Sequence, residues 1–310
     1  MRNVFGAKFV VAGVMKMHGG AQKLVYKIDC TNGFSCVLYV WDVTKNYFEE
    51  EIAGNTTHSQ SYGSNLFEVN NRYLTAHSIR TPVLYNLNQE RSRYPFDYAL
   101  VEYTGGQSAE AYFSHGDTQV KDTVFLKLGD MISEMHADES NIYGKPNQTS
   151  PNEEQCHLIH FVSAEAHLSY ASEHVDTIRK NRDKLVDISN RLAAKIEPRN
   201  RYGYIHGELG PNHVIILENL EPCLIDIEGA GFFDIEYEHS FMKFRFGELY
   251  QYLGNERLDP DRMLFYQYHH HLSLIAAGLK LVHREYPDQQ TARNIAEYHT
   301  MRALQFLESY

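Results

Sequence analysis

Two acidic residues hold positions from which a side chain could do chemistry, because each follows a short apolar run. Glu208 follows Tyr204-Ile-His-Gly, and Asp226 is the last residue of Pro222-Cys-Leu-Ile-Asp. Runs of this kind predict short β-strands joined by polar loops. A carboxylate at a strand end can accept a proton from a hydroxyl group or supply hard oxygen ligands to a divalent ion. Taken alone, a loop glutamate is more often a solvated residue or a helix cap.

The residues around this pair form a longer pattern. His206-Gly-Glu-Leu-Gly-Pro-Asn-His213 is followed by a strand and by Leu224-Ile-Asp-Ile-Glu-Gly229. This order resembles the catalytic loop and metal-binding segment of aminoglycoside phosphotransferases and their choline- and homoserine-kinase relatives, usually H-G-D-x-x-x-x-N followed by I-D. The next stretch, Phe232-Phe-Asp-Ile-Glu-Tyr-Glu-His239, looks like the family's G-D-P-x-x-D.

The resemblance implies an α+β, protein-kinase-like fold with a small β-rich N-lobe and a larger, mainly helical C-lobe. It also implies a small-molecule kinase that uses ATP or GTP with Mg²⁺ and phosphorylates a hydroxyl group. An aminoglycoside or a similar hydroxylated amine is the favoured acceptor, since the acidic residues Glu228, Glu236 and Glu238 near Asp226 would attract a cation. The bracing of the catalytic loop is the other expected role of Glu228, Asp234 and Glu238.

By resemblance, Glu208 is the catalytic base and Asp226 binds the metal ion that bridges the nucleotide phosphates. Glu208 replaces the usual aspartate, and His213 stands where the family has its metal-binding asparagine, with Asn212 one residue earlier. Imidazole is a poor magnesium ligand. Three alternatives stay open: the loop shifts so that Asn212 binds the metal, His213 binds a second metal weakly or contacts phosphate, or Mn²⁺ is preferred.

The strand Val37-Leu-Tyr-Val-Trp lacks the lysine that in this family clamps the phosphates and pairs with a helix glutamate. Tyr39 stands near its expected place. Lys23 and Lys27 lie on the preceding predicted strand, so strand adjacency suggests that one of them projects into the same cleft. The other nucleotide-binding residues implied by the resemblance are in the nucleotide loop, the helix facing the third strand and the adenine hinge: Gly19, Gly20, Glu68, Glu102 and Thr104.

The elements that must position these groups fall into two halves. Short β-rich runs over Lys8 to Trp41 predict a three-stranded meander, followed by a helix over Asn65 to His77 and two more strands. After the flexible Thr104-Gly-Gly, apolar residues follow a helical period over Asp122 to His136 and Glu173 to Ile196. The predicted domains are therefore an N-lobe at 1–103 and a C-lobe at 104–310.

Composition limits the partners. The net charge is -11, without a Lys/Arg cluster, which argues against nucleic acid. No apolar run approaches the ~18 residues that a membrane helix needs. The four cysteines form no C-x-x-C pair, which fits a reducing cytoplasm. A monomer or homodimer is expected. The apolar start of the chain could be misread as a secretory signal, but Lys8 interrupts it, so a first β-strand is predicted there.

Two other kinds of protein compete with a small-molecule kinase as the interpretation of this sequence. A catalytically impaired kinase-like protein that binds a nucleotide or metabolite is the main alternative, and a protein kinase is disfavoured because no A-P-E segment follows Asp226. His115-Gly-Asp117 spells the family triplet but lacks the asparagine and strand that should follow. His157 with His160, and the run His269-His-His271, are predicted to be structural, since consecutive helical histidines point in different directions.

Overall fold

The computed structural model describes residues 1–17, 20–54, 61–255 and 257–308. The first half is built on one antiparallel sheet of five strands in the order β1-β2-β3-β5-β4. The strands are β1 (Val11–Lys16), β2 (Leu24–Cys30), β3 (Ser35–Trp41), β4 (Leu84–Asn88) and β5 (Asp97–Glu102). The predicted meander is confirmed, because β2 pairs antiparallel with both β1 and β3. Aromatic and β-branched residues of β3 suit its central, buried place in the sheet.

Helices α1 (Arg2–Phe5), α2 (Glu49–Ala53) and α3 (Ser64–Ala76) accompany the sheet. The helix predicted over Asn65 to His77 corresponds to α3. Its residues Phe67 and Leu74 lie two turns apart on one face and are each 1% exposed. The ring of Phe67 packs on Tyr39 and Trp41, with ring centroids 5.4 and 5.6 Å apart. This contact fixes α3 against β3, beside the predicted nucleotide cleft.

The second half is mainly helical. Its helices are α4 (Thr118–Ala137), α5 (His157–His174), α6 (Asp176–Ala193), α7 (Ile235–Phe246), α8 (Pro260–His283) and α9 (Gln289–Gln305). Three of them start with a side-chain cap: Asp117 accepts from two backbone N–H groups of α4, Asp259 does the same for α8, and Asp288 accepts from one N–H group of α9. The helical period over Glu173 to Ile196 corresponds to α6, which begins after the chain turns at Val175. Among the described residues, no helix is long and apolar enough to cross a membrane.

Short strands carry the predicted catalytic segments between α6 and α7. One three-stranded sheet contains β11 (Gly231–Phe233), β8 (Tyr202–Ile205) and β7 (Glu139–Ser140); another contains β10 (Pro222–Leu224), β9 (Val214–Ile216) and β6 (Gln107–Ser108). Glu208 follows β8, and Asp226 follows β10. The loops after these strands therefore present both carboxylates, as the sequence pattern predicts.

The two halves share a core and are also joined at their surface. Phe67 and Val101 from the first half belong to the same buried cluster as Phe125 and Leu224 from the second. The chain passes between the halves through an irregular segment at 103–105 after β5.

Residues around α2 then reach across to the C-terminal helices. Glu51 of α2 lies 2.8 Å from Arg284 and 2.7 Å from Lys280. The ring of Tyr47 also packs on Tyr286.

Candidate active site

The loop that carries Glu208 is held by buried groups behind it. His206 is fully buried, and its Nε2 donates to the Ile225 carbonyl at 2.9 Å. The N–H of Gly207 donates to Glu238 Oε1 at 2.9 Å. Gly207 has φ +87, and a Cβ there would meet the Gly229 carbonyl oxygen at 2.8 Å. Glycine is therefore required where the loop passes the segment after Asp226.

Asp226 has a left-handed backbone, with φ 62 and ψ 43. Aspartate is among the few residues that tolerate this conformation. The conformation places the carboxylate against the side chain of Lys23, whose Nζ lies 2.5 Å from Asp226 Oδ1. Burial alone would raise the pKa of Asp226, but the charge of Lys23 outweighs it and lowers the pKa. Asp226 is thus an anion at neutral pH.

Lys23 owes its place to a tight turn before β2. Gly20 has φ +85, and a Cβ there would lie 2.7 Å from the Lys23 carbonyl oxygen, so no other residue fits without displacing the chain. The segment after β3 secures this turn: Asn46 Nδ2 donates to the Gln22 carbonyl at 3.0 Å, and the Tyr47 N–H donates to the Ala21 carbonyl at 2.9 Å. The turn directs the lysine side chain inward.

The ammonium of Lys23 lies over the ring of Tyr39, 4.8 Å from its centroid. Its second anionic partner is Glu228, at 2.5 Å, and Glu228 Oε1 also accepts from Trp41 Nε1 at 3.1 Å. The side chains of Lys23 and Glu228 are 7% and 4% exposed. A cation from the turn before β2 therefore stands over the residue that replaces the expected lysine of β3.

The ionisation of this pair follows from burial and charge. Burial opposes the charge on Lys23, but Asp226 and Glu228 outweigh it and raise the pKa of the lysine. Burial raises the pKa of Glu228, with Lys23 acting in the opposite direction. Oε2 of Glu228 has no hydrogen-bond partner among the described residues. Glu228 therefore takes up a proton more readily than an ordinary glutamate.

His213 faces Asp226, and Asn212 does not. The Nδ1 of His213 contacts the Glu208 carbonyl oxygen at 2.7 Å, and its Nε2 lies 3.5 Å from Asp226 Oδ2. The Asn212 side chain instead accepts from Arg245 Nη2 of α7 at 2.5 Å.

Glu208 is exposed, whereas Leu209 and Gly210 next to it are buried. Desolvation raises its pKa, and so does the charge of Asp226, while His213 and Arg245 act in the opposite direction. A carboxylate with a raised pKa has more tendency to accept a proton than a free glutamate has.

Three other predicted nucleotide-binding residues lie on β2, at the end of β5 and in the segment after β5. Lys27 is tied to Asp29 at 2.9 Å and lies 4.5 Å from the centroid of the Tyr103 ring, at the hinge end. The carboxylate of Glu102 is bound by Arg80, with 2.7 Å to each oxygen. Thr104 is half-buried in the irregular segment after β5, and Gly19 lies outside the described residues.

Glu68, expected to face the third strand, pairs with Arg72 one turn along α3 at 2.6 Å. The face of α3 toward the cleft instead carries Asn70, whose Nδ2 donates to the Ile227 carbonyl at 2.8 Å. The glutamate that meets the buried lysine is thus Glu228, which sequence reasoning assigned to another role. Two further groups near this segment were missed: Arg245 and Lys145, which donates to the Glu228 carbonyl at 3.0 Å.

The acidic residues near Asp226 do not face the cleft as a group. Glu236 is 2% exposed and bound by Arg199 at 2.8 Å, and Glu238 is fully buried between the Gly207 N–H and His136 Nε2. The expectation that they attract a cationic acceptor is therefore not supported, because their charges are already compensated inside the protein. Glu238 supports the loop that carries Glu208 directly, while Asp234 accepts from Tyr266 at 2.6 Å and pairs with Arg262 in the C-lobe core.

The histidine runs are structural in the part of the chain described. His269 and His270 contact the backbone carbonyls of Phe265 and Tyr237 at 2.8 and 2.9 Å, and His271 contacts His299 at 2.8 Å. Burial lowers the pKa of His269 and His270 to about 4. Over the described ranges, no three His, Cys, Asp or Glu side chains come together as a complete metal site.

The donors that fit a divalent ion are Asp226 and His213. They present a carboxylate oxygen and a ring nitrogen toward each other across 3.5 Å. Mg²⁺ and similar ions that act on nucleotides usually take only one or two protein ligands, and phosphate oxygens and water complete the shell. A pair of donors is therefore sufficient for an ion that arrives with a nucleotide.

Comparisons with known proteins bear on the family and the fold of the chain. A family model described as "Phosphotransferase enzyme family" matches residues 70–265, which include both Glu208 and Asp226. No curated protein matches the chain.

Solved structures resemble the whole chain. A ternary complex of a thermostable mutant of aminoglycoside phosphotransferase APH(4)-Ia with AMP-PNP and hygromycin B has a TM-score of 0.64 and 15% identity, covering 96% of this chain and 95% of that one. Spectinomycin phosphotransferase APH(9)-Ia, in complex with ADP and spectinomycin, has a TM-score of 0.63 and 14% identity, covering 94% and 89%. Choline kinase LicA from Streptococcus pneumoniae has a TM-score of 0.63 and 14% identity, covering 97% and 95%. At these identities the likeness shows the kinase-like fold.

Proposed function

This chain belongs to the phosphotransferase enzyme family, since the family's model matches residues 70–265, and from this premise we propose the reaction and the residues that perform it. The reaction is transfer of the terminal phosphoryl group of ATP, or GTP, to a hydroxyl group of a small molecule. Support for a nucleoside triphosphate comes from the AMP-PNP and ADP complexes of the similar structures.

One observation carries the proposal: the buried ammonium of Lys23 touches Asp226 and stands over Tyr39. The missing lysine of β3, together with the altered metal loop, would permit a protein that holds a nucleotide or metabolite without transferring phosphate. Lys23 supplies that cation from the turn before the neighbouring strand β2, and Glu228 supplies its counter-charge. A protein without phosphate to bind would gain little from a buried lysine beside two carboxylates, since burying such charges costs free energy.

The residues divide the chemistry as follows. Lys23 binds and neutralises the phosphates, and Asp226 with His213 holds the divalent ion. When bound, that ion offsets negative charge on the transferring phosphoryl group. Glu208 hydrogen-bonds the acceptor hydroxyl and receives its proton as the new oxygen–phosphorus bond forms. The bond between the terminal phosphorus and the bridging oxygen breaks, and its electron pair stays on that oxygen of the departing nucleoside diphosphate.

The acceptor is proposed to be a small hydroxylated molecule. Hygromycin B and spectinomycin in the similar structures support an aminoglycoside-like acceptor. The charges in this chain give an amine no additional support, because Glu236 and Glu238 are buried and paired. The charges that act on Glu208 include a cation of α7, Arg245. Neutral polyols therefore belong in any acceptor panel beside amino sugars.

The test is phosphate addition to a pooled acceptor library, detected by mass spectrometry with ATP or GTP and with Mg²⁺ or Mn²⁺. Transfer is expected, and it should disappear in Glu208→Gln and Asp226→Asn. Asp117→Asn is the matched control, because Asp117 belongs to the motif-like triplet before α4, and asparagine caps a helix as well as aspartate does. Nucleotide binding without transfer to any acceptor would instead support the non-catalytic binding protein.

A further inference from the structure

We propose that His213 is a direct metal ligand and makes this site prefer a divalent first-row transition ion, with Mn²⁺ as its probe, over Mg²⁺. The inference rests on the proposed function, because the ion is the one that accompanies the nucleotide. It assigns a role to His213, which stands where the family pattern has an asparagine.

The hydrogen bond at Nδ1 fixes the tautomer of His213. Its partner is the Glu208 backbone carbonyl at 2.7 Å. A carbonyl oxygen can only accept, so Nδ1 carries the proton and donates. In the neutral ring, Nε2 then has a free lone pair. A backbone contact of this kind behind a histidine is also the usual way in which proteins orient a metal-binding imidazole.

The ring is also held in direction. It stacks on His206, with ring centroids 5.9 Å apart and planes inclined by 19°. His206 is itself fixed by its bond to the Ile225 carbonyl. The His213 side chain is 13% exposed. Its Nε2 therefore points into the cleft from a supported position, as a binding group requires.

The lone pair of Nε2 faces an anion. Asp226 Oδ2 lies 3.5 Å away, while Oδ1 of the same carboxylate is bound by Lys23. Two lone pairs that face each other repel unless a positive charge lies between them. Adjacent ligands of an octahedral ion with bonds of ~2.1 Å are ~3 Å apart, so a small side-chain rotation brings these two atoms onto one ion. An imidazolium proton is the competing occupant of the same gap.

The side-chain oxygen of Asn212, the alternative metal ligand, does not face Asp226. Asn212 is turned away and its Oδ1 accepts from Arg245 at 2.5 Å. A Cβ on the neighbouring Gly210 would lie 2.8 Å from that Oδ1 and 3.0 Å from the guanidinium carbon of Arg245, so the three groups are already packed together. For Asn212 to bind the ion, the loop would have to break this contact and move His213 aside.

Ligand chemistry then sets the preference. Mg²⁺ takes oxygen ligands, whereas imidazole suits transition ions, whose affinity for such donors rises from Mn²⁺ toward Cu²⁺. One nitrogen among otherwise oxygen ligands weakens Mg²⁺ more than it weakens Mn²⁺. Mn²⁺ remains a hard enough ion to hold phosphate oxygens at the same time.

The test uses the full chain with Mn²⁺ and ADP, and pulsed electron paramagnetic resonance. Wild-type protein should show the ¹⁴N modulation of a directly bound imidazole, and His213→Asn should lose it. In the presence of ADP, the Mn²⁺ affinity divided by the Mg²⁺ affinity should be ~10-fold lower or more in His213→Asn than in the wild type. Losing an outer partner of a metal ligand already costs a factor of this size, and losing the ligand itself should cost at least as much. His115→Asn removes an exposed histidine and should change neither measurement.

Absence of nitrogen modulation in a wild-type Mn²⁺–ADP complex would overturn the inference and favour the imidazolium. An unchanged affinity ratio in folded His213→Asn would overturn it as well. Either result would take His213 out of the metal site, but the proposed phosphoryl transfer would stand if phosphate transfer is still observed. Failure of ADP to bind with any divalent ion would instead contradict the proposed function itself.

Discussion

Replacing Lys23 by methionine tests whether this lysine binds the nucleotide phosphates. Methionine keeps an unbranched side chain of similar length but removes the charge, whose Nζ lies 2.5 Å from both Asp226 and Glu228. One hydrogen bond between charged groups is worth ~1.5–3 kcal/mol. Its loss should weaken nucleotide binding ~10- to 150-fold, because each 1.4 kcal/mol is about a factor of ten.

The same change also affects stability. Removing one partner of a buried ion pair typically costs ~3–5 kcal/mol. The cost here should fall below that range, since Glu228 has a raised pKa and takes up a proton, and the Asp226 side chain is 39% exposed. The double variant Lys23→Met/Glu228→Gln removes both buried charges, so it should recover stability while nucleotide binding stays weak. This comparison separates misfolding from loss of the phosphate contact.

The assay can use the protein's own fluorescence. Trp41 is the single tryptophan of the chain and donates to Glu228, so its emission should respond when Lys23 changes partners. Calorimetric titration with ATP and a divalent ion gives the affinity independently. Lys16→Met on the exposed edge strand β1 is the matched control. Wild-type ATP affinity in a folded Lys23→Met protein would refute the assignment.

Three further perturbations test other parts of the structure. Glu208→Gln should lower kcat ~10²- to 10⁴-fold with little change in nucleotide affinity, because a general base contributes about that much. Steady-state kinetics give kcat and calorimetry gives the affinity; a parallel fall in both would contradict the role of general base. Gly20→Ala should weaken ATP binding as Lys23→Met does, since a Cβ would lie 2.7 Å from the Lys23 carbonyl oxygen; unchanged calorimetric affinity would mean that the turn does not position the lysine. Glu51→Gln should destabilise the fold by ~1 kcal/mol at neutral pH, because Arg284 and Lys280 overcome the opposing effect of burial and hold the pKa of Glu51 at about 2. As this pKa is lowered from the model-compound value of 4.5, the difference in unfolding free energy should persist above pH 4.5 and vanish as the pH falls from 4.5 toward 2; a difference independent of pH in denaturant titrations would exclude the ion pairs as its source.

The sequence was sufficient to predict the two-lobed fold and the positions of Glu208 and Asp226. Hydrophobic periodicity separates the strands from the helices locally, and the motif places both carboxylates after short strands. The residues of this motif lie within one short stretch of the sequence, so their spacing can be recognised without coordinates. Their catalytic and metal-binding roles remain predictions.

The Lys23–Glu228 contact was not predictable in the same way. The two residues are 205 positions apart, and no local pattern marks either as the partner of the other. Strand adjacency suggested Lys23 and Lys27 equally. The turn at Gly20 turns Lys23 into the core, whereas Lys27 is held by Asp29 at the hinge end. The choice depended on packing that forms only when the sheet meets the segment after Asp226.

The replacement of the helix glutamate also depended on tertiary structure. Helical spacing places Glu68 on α3, but it does not specify how the helix is rotated against the sheet. Burial of Phe67 and Leu74 sets that rotation and leaves Glu68 beside Arg72. Likewise, sequence counting could not choose between Asn212 and His213, because the position of Arg245 on α7 decides which side chain turns toward the cleft.

A crystal structure of the protein with a non-hydrolysable ATP analogue and Mn²⁺ would test the central claim most directly. The account predicts that Lys23 Nζ lies within hydrogen-bond distance of a nucleotide phosphate oxygen, that Asp226 binds the ion, and that the Glu208 carboxylate faces the terminal phosphate. A nucleotide bound elsewhere, with Lys23 still closed on Asp226 and Glu228, would contradict it.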